Sequence, residues 1–396
     1  MRRILFVDDE QAVLDGLRDQ LRKQRNQWQM VFALGGPAAM VELENGVFDV
    51  VVSDMRMPVV DGATLLHHVK ARYPAAARII LSGQADRQSV VRALPAAHQF
   101  LSKPCDADTL RIVVARACQL QKALTDDGIR CIVGKLDKLP SAPQTYWELT
   151  NAAARPESGV SEFAAIVERD PAMSVKVLQL VNSAYFGLPQ RVTSAQQAVA
   201  RLGVELLKAL ALSVHAFGTM PAVPLKGFSL DQLQQHSLLT ARLGRQLVGC
   251  NAKHSGEVFS AAVVHDIGKL ILAVGIPERF SEVLQTHAAT KRSLHEVESE
   301  LLQVTHAEVG GYLLGVWGLP LSIVEAVAFH HTPSQVVDGE LDTLAAVHIA
   351  DALLEAEQNE RADPEQVSNL DLAFVERAGL TAKLEGFRTL ARAVLC

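Results

Sequence analysis

The sequence contains no Cys-x-x-Cys pair and no regular cysteine spacing. Its five cysteines, Cys105, Cys118, Cys131, Cys250 and Cys396, stand far apart. That pattern argues against a disulfide framework or a thiolate zinc site and for free thiols in a reducing cytoplasm. Positive charge is not in excess: 38 Lys and Arg against 44 Asp and Glu leave a formal net charge of −6, so a nucleic-acid surface is not expected as the main function. No uninterrupted apolar run reaches membrane-spanning length, about 18 residues. The start, Met1-Arg-Arg-Ile-Leu-Phe-Val-Asp-Asp9, turns acidic too early for a secretory signal. No low-complexity stretch interrupts the chain. The expectation is a cytoplasmic protein without membrane insertion and without a nucleic-acid partner.

What is present is length and apolar content. The 396 residues are 49% hydrophobic, enough for two or three domains with sizeable cores. Residues 1 to about 122 alternate short apolar runs with amphipathic helical patterns. Ile4-Leu-Phe-Val7 stops at Asp8-Asp-Glu10, Val50-Val-Val52 leads to Asp54, Ile79-Ile-Leu81 ends at Ser82, and Phe100-Leu101 leads to Lys103-Pro104. This rhythm predicts an α/β domain with a doubly wound parallel sheet, and it puts the polar residues at the carboxyl ends of strands, where such sheets build their sites. Singly, these residues have plain alternatives: a helix cap for Asp8 and Asp9, a turn for Ser82, a solvated charge for Lys103. Together they make chemical sense. Three carboxylates brought close repel one another, and a hard cation such as Mg2+ resolves the repulsion. One carboxylate can then serve as nucleophile towards a phosphoryl group, with Lys103 and Ser82 offering a charge and a hydroxyl.

Through Val7-Asp-Asp-Glu10, Ser53-Asp-Met-Arg-Met-Pro-Val-Val-Asp-Gly62, Leu81-Ser-Gly83 and Phe100-Leu-Ser-Lys-Pro104, this segment resembles a response-regulator receiver domain along its whole length. The resemblance implies a five-stranded, flavodoxin-like fold and a phosphoryl group taken by Asp54 from a sensor histidine kinase. It further implies Mg2+ held by Asp8, Asp9, Asp54 and the backbone carbonyl of Arg56. Ser82 and Phe100 would be the switch residues, Lys103 would contact the phosphoryl group, and the Lys103-Pro104 bond would be cis.

The helical pattern from Arg111 to Leu124 breaks at Thr125-Asp-Asp-Gly128. The boundaries expected are 1–122 for the first domain, 123–133 for a linker, 134–335 for a second domain and 336–396 for a helical extension. Beyond the linker, apolar residues recur at helical spacing with breaks at prolines, predicting an all-α domain. Asp170-Pro171 reads as an N-cap followed by proline in the first turn. The extension is expected to pack on this domain or to form a homodimer contact.

Polar atoms enter several apolar helices of this region. In Ala261-Ala-Val-Val-His-Asp-Ile-Gly-Lys-Leu270 an apolar run ends in His265-Asp266. Alone, the pair reads as a core imidazole and a helix cap. His236, His306, His330-His331 and Asp351 occupy similar settings, where bare polar groups are costly and a metal site in a helical core would use them. His215, His254, His287, His295 and His348 are expected to be core or surface histidines, with His287 and His295 solvated beside Lys291-Arg292. His67-His68 is expected on a solvated or half-buried face.

The stretches Glu168-Arg-Asp-Pro171, Val181-Asn-Ser-Ala184, Ala261–Leu270, His306-Ala-Glu-Val-Gly310 and Trp317-Gly-Leu-Pro320 resemble an HDOD domain, the HD-related output domain of bacterial signalling proteins. That family implies a module binding a downstream signalling protein. The order His236, His265-Asp266, Asp351 also resembles the HD phosphohydrolase signature. It implies one divalent metal on those four residues, with His306, His330 and His331 as further ligands and Lys269 near developing charge. Imidazole and carboxylate ligands suit Mg or a divalent transition metal. No Gly-Tyr-Pro follows His331, so cyclic di-GMP hydrolysis of the HD-GYP type is not expected. Two readings therefore stand side by side: a phosphorylation-controlled interaction module, and a phosphorylation-gated metal phosphohydrolase acting on a nucleotide or cyclic nucleotide.

Overall fold

The computed structural model describes residues 1–82, 93, 96–103, 105, 107–123, 127–135, 148–149, 151–152, 155, 157–182, 191–202, 225–249, 252–336, 341–358 and 369–395. The chain divides into two compact units, one built on Met1–Lys138 and the other on most of 139–396.

The first unit alternates strand and helix in the order β1 (Arg2–Asp8), α1 (Gln11–Gln20), β2 (Trp28–Leu34), α2 (Gly35–Asn45), β3 (Val50–Asp54), α3 (Gly62–Arg72), β4 (Ala77–Ser82), β5 (Gln99–Ser102), α4 (Ala107–Ala123) and α5 (Asp127–Lys135). The strands pair in parallel in the order β2-β1-β3-β4-β5, the doubly wound arrangement expected. Side-chain alternation gives the sheet two buried faces. Leu5, Val7 and Val51 pack under Leu43 of α2 and Leu65 and Val69 of α3. Ile4, Phe6, Val50 and Val52 pack under Leu14 of α1 and Leu110 and Val114 of α4. Most of the segment expected as a linker is helix: α5 begins at Asp127, and Arg78 donates from Nη2 to the Gly134 carbonyl at 2.9 Å. Gly128 falls in the first turn of α5, where glycine costs least.

The second unit contains helices and no strand among its described residues, the all-α domain expected. Its elements are α6 (Val160–Val167), α7 (Pro171–Val181), α8 (Ala195–Leu202), α9 (Leu230–Leu247), α10 (Ala252–Val264), α11 (Ile267–Gly275), α12 (Pro277–Thr290), α13 (Leu294–Leu302), α14 (His306–Val316), α15 (Leu321–Phe329), α16 (Thr343–Gln358), α17 (Leu372–Arg377) and α18 (Leu384–Leu395). Asp170 caps α7 by accepting from the Met173 amide at 3.1 Å, with Pro171 opening the helix. Helices α9, α10, α15 and α16 pack on one another and form the heart of the unit. Ser255–Gly275 is apolar enough to cross a membrane by composition alone, but 83% of its apolar window is buried in this core. Helix α18 covers α9 and α16 through Phe387 and Ala391 against Leu243, Leu247, Ile349 and Leu353. The extension thus packs on the helical unit, one of the two roles expected for it.

Candidate phosphoacceptor pocket and metal centre

In the first unit the apolar strands β1 and β3 end together, which brings Asp8 and Asp54 to one edge of the sheet. Both are buried, Asp54 at 7% exposure, while Asp9 beside them is exposed. Lys103 reaches between them: its Nζ donates to Asp8 Oδ2 at 2.7 Å and pairs with Asp54 Oδ1. The Arg56 amide donates to Asp54 Oδ2 at 2.5 Å. Gly62 opens α3 against the same strand end, where a Cβ would stand 2.1 Å from the Asp54 carbonyl oxygen. Burial pushes the Asp54 carboxyl above its ordinary range despite the Lys103 ammonium and the Arg56 amide, with Asp8 adding to the rise. Burial opposes charge on Lys103, yet its contacts with Asp54 and Asp8 raise its pKa overall. The pocket therefore brings Asp8, Asp54, Lys103 and the Arg56 backbone together. The side chains of Ser82 and Phe100, and Pro104 with its peptide bond, lie outside the described residues.

In the second unit each candidate ligand occupies a helix end or an apolar face. His265 follows the buried end of α10, and the helix breaks there, so that Asp266 starts α11. His330 and His331 follow α15, and His306 opens α14. His236 sits on α9, and Asp351 sits on α16 between the buried Ala350 and Ala352. His265, Asp266, His306, His330 and Asp351 are buried; His236 and His331 are half-buried.

These residues meet. His236 Nε2 lies 2.9 Å from Asp351 Oδ1, and His265 Nε2 lies 3.4 Å from Asp266 Oδ2 and 3.5 Å from Asp351 Oδ1. His306 Nε2 lies 3.2 Å from Asp266 Oδ1 and 3.0 Å from His331 Nε2. His330 Nε2 is 3.8 Å from Asp266 Oδ1. Two atoms each about 2.1 Å from one ion stand roughly 3.0–3.4 Å apart at octahedral or tetrahedral angles, and the separations here run from 2.9 to 3.8 Å around that range. Three sets have their donor atoms within 4.8 Å of one another: His236, His265 and Asp351; His265, Asp266 and His330; His306, His330 and His331.

Hydrogen bonds behind the rings fix which nitrogen faces the site. His265 Nδ1 donates to the Ala262 carbonyl at 2.7 Å and His330 Nδ1 to the Val327 carbonyl at 2.8 Å. A carbonyl only accepts, so the proton sits on Nδ1 and Nε2 turns inward. Among the described residues, buried His330 Nε2 makes no hydrogen bond. His265 Nε2 faces the Asp266 and Asp351 carboxylates, and Asp266 Oδ1 faces His306 Nε2. Burial opposes charge on His265, but the two carboxylates raise its pKa overall. Buried imidazoles held from behind with Nε2 inward, converging on two buried carboxylates, are the preparation a metal site makes, so the residues present fit a divalent cation.

Burial would push the Asp266 and Asp351 carboxyls up, but the imidazoles around both, with Lys269 beside Asp266, hold them well below the carboxylate range. Lys269 Nζ donates to Asp266 Oδ2 at 2.6 Å, so Lys269 borders the site. Burial, reinforced by neighbouring imidazoles, holds His330 and His331 well below ordinary histidine.

Some residues differ from expectation. His295 is half-buried and stacks on His331 at 4.3 Å between ring centroids, because α13 passes beside the end of α15. His287 is half-buried as well, with Nδ1 against the Arg292 carbonyl at 2.7 Å. His348 is a core histidine, donating from Nδ1 to the His330 carbonyl at 2.6 Å. His67 is exposed and His68 half-buried, as expected. His215 and the His254 side chain lie outside the described residues. A capping box, Thr305-His-Ala-Glu308, starts α14: the Thr305 amide donates to Glu308 Oε2 at 2.8 Å and the Glu308 amide to Thr305 Oγ1 at 3.2 Å. Its sequence signature was open to reading.

Residues 4–115 match the family model of the response regulator receiver domain, and residues 139–333 match that of the HDOD domain. An uncharacterized protein of Treponema pallidum is 27% identical over 232 residues, 57% of this chain and 44% of that protein. The regulatory protein LuxO of Vibrio vulnificus is 30% identical over 124 residues, 30% of this chain and 27% of that protein. The chain therefore spans less than half the length of these curated relatives. The crystal structure of the MmoQ response regulator from Methylococcus capsulatus aligns with a TM-score of 0.50 at 23% identity, covering 63% of this chain and 98% of that one. At that identity the likeness concerns the fold.

Proposed function

We propose that this chain, a receiver domain joined to an HDOD domain, takes a phosphoryl group on Asp54 and answers through a divalent-metal centre that hydrolyses a phosphoester. A response-regulator signalling role follows from the pairing of domains; the phosphodonor, the output chemistry and a cytoplasmic site of action are our reading.

For the input, the donor is a sensor histidine kinase. Asp8, Asp9 and Asp54 with the Arg56 carbonyl would hold Mg2+, which would offset charge between the carboxylate and the incoming phosphoryl oxygens. Lys103 already bridges Asp8 and Asp54 and is placed to follow the new negative charge.

For the output, one observation carries the reading. His265 and His330 are locked with Nε2 inward. His265 Nε2 points at the two buried carboxylates Asp266 and Asp351, and His330 Nε2 is buried without a hydrogen bond among the described residues. Leaving such a group unsatisfied costs about 1–3 kcal/mol, and a cation removes the cost. A unit acting solely as a docking surface for a downstream signalling protein leaves these atoms without a role. His236, His265, Asp266 and Asp351 would hold one metal, with His306, His330 and His331 completing or extending the set. A bound cation would supply Lewis acidity towards water and a phosphoryl oxygen. Lys269 stands at the rim, held by Asp266 and charged, to meet an anionic substrate.

The test is elemental analysis of the purified full chain, with a hydrolysis panel of nucleotides and cyclic nucleotides. Stoichiometric metal and turnover, both lost in His265→Ala and Asp266→Ala, are expected. A metal-free wild type that binds its partner unchanged by these substitutions would return the unit to a docking role.

A further inference from the structure

Helix α13 carries three glutamates two residues apart, and they do not share a fate. Glu296 and Glu300 are exposed and pair with Arg292. Glu298, about 200° around the helix from each, is 0% exposed. A buried carboxylate is costly unless its partners are well placed. Its Oε2 accepts from two groups of one residue, the His306 amide at 2.8 Å and the His306 Nδ1–H at 2.6 Å, while its Oε1 has no hydrogen-bond partner among the described residues.

Capping α14 explains only half of this carboxylate's contacts, the bond from the His306 amide. Thr305 and Glu308 already form a reciprocal box at that helix start. What Glu298 adds is control of the imidazole. With Nδ1–H bound from behind, Nε2 of His306 can only face Asp266 Oδ1 and His331 Nε2, at 3.2 and 3.0 Å. Support differs around the centre: His265 and His330 lean on neutral backbone carbonyls three residues earlier, whereas His306 leans on a carboxylate. A negative charge behind an imidazole makes its far nitrogen a stronger electron donor, and such outer partners set metal affinity.

We propose that Glu298 is the positioning residue of the metal centre, fixing the tautomer and orientation of His306 and strengthening it as a ligand. The inference rests on the metal reading above and adds to it which residue outside the ligand set orients His306. Glu298 itself touches no metal.

The test titrates the metal-stripped full chain with Zn2+ by calorimetry and with Co2+ by visible absorption. Glu298→Ala removes both acceptors and should weaken binding about 10–100-fold, the usual range for lost outer partners. Glu298→Gln keeps an acceptor oxygen without the charge, so it should weaken binding less and shift the Co2+ ligand-field bands. Val297→Ala, the buried neighbour on the same helix, should lower the melting temperature and leave affinity unchanged. If Glu298→Ala fails to fold, Glu298→Gln decides. Wild-type affinity and spectrum in both glutamate variants would overturn the proposal, as would a loss in Val297→Ala equal to theirs. A wild type that binds neither ion would overturn the metal reading itself.

Discussion

Gly268 lies directly beneath the carbonyl of His306: a Cβ on Gly268 would stand 1.8 Å from that oxygen. The start of α11, two residues after Asp266, thus meets the start of α14 at a distance no side chain permits. Gly268→Ala should destabilise the helical unit by about 3 kcal/mol, the upper range for overpacking, and should weaken metal binding by pushing Asp266 and His306 apart. Urea unfolding of the full chain reads the first effect; a shift within about 0.5 kcal/mol of wild type would show that the contact yields easily.

Asp54→Asn should abolish phosphoryl incorporation from acetyl phosphate, because only a carboxylate at the end of β3 can form the acyl phosphate. Lys103→Ala should retain folding and lose much of the labelling, since its ammonium spans Asp8 and Asp54. Phosphate-affinity electrophoresis distinguishes the two. Persistent labelling of Asp54→Asn would move the phosphoacceptor elsewhere.

Acid should destabilise the metal-free helical unit well before its carboxylates protonate. Burial, then the neighbouring imidazoles, hold His330 and His331 well below their ordinary pKa, and burial lowers His348. Below about pH 6.5 the unfolded chain takes up protons that these folded rings refuse, so stability rises with pH towards that value, with a ceiling of about 1.4 kcal/mol per unit for each such ring. On the other side, burial opposes charge on His306, but Glu298 outweighs it and raises the pKa to about 9. The stability His306 contributes is full below about pH 6.5 and fades as pH rises through 9. The metal-stripped protein should therefore melt highest near neutrality and lower at pH 5 and pH 10. An unchanged melting temperature between pH 5 and 6.5 would contradict this.

His348 joins the centre to the extension. Its Nδ1 donates to the His330 carbonyl, and its Nε2 accepts from the Asp371 amide at 3.0 Å. His348→Leu leaves both backbone groups without this partner, at about 1–3 kcal/mol each. Amide hydrogen exchange should accelerate across α17 and α18 while β1 to β5 stay protected. Equal protection in wild type and variant would show that Phe387 and Ala391 hold the extension unaided.

Four of the five receiver strands are legible in sequence because their apolar runs end in polar residues. β2 is harder to see. It is an edge strand with Gln29 and Leu34 exposed, so its pattern is neither continuous nor cleanly alternating. The candidate ligands are legible as types, since His or Asp inside an apolar helix is costly wherever it packs. Their convergence from α9, α10, α14, α15 and α16 is not, because no local period encodes a tertiary crossing. Glu298 is hidden for a related reason: Glu296-Val-Glu298-Ser-Glu300 reads as a solvated acidic face, and only the packing of α13 on α14 removes its middle glutamate from water.

Asp351 sits on α16, past residue 333 where the HDOD family match stops. Anyone transplanting this helical unit onto another domain by cutting at that boundary would carry off His236, His265, His306 and the His330-His331 pair but leave a wall of their chamber behind. The graft would keep its family resemblance and lose Asp351 from the proposed metal centre. The portable unit is the one that travels with α16 and the two helices clasping it.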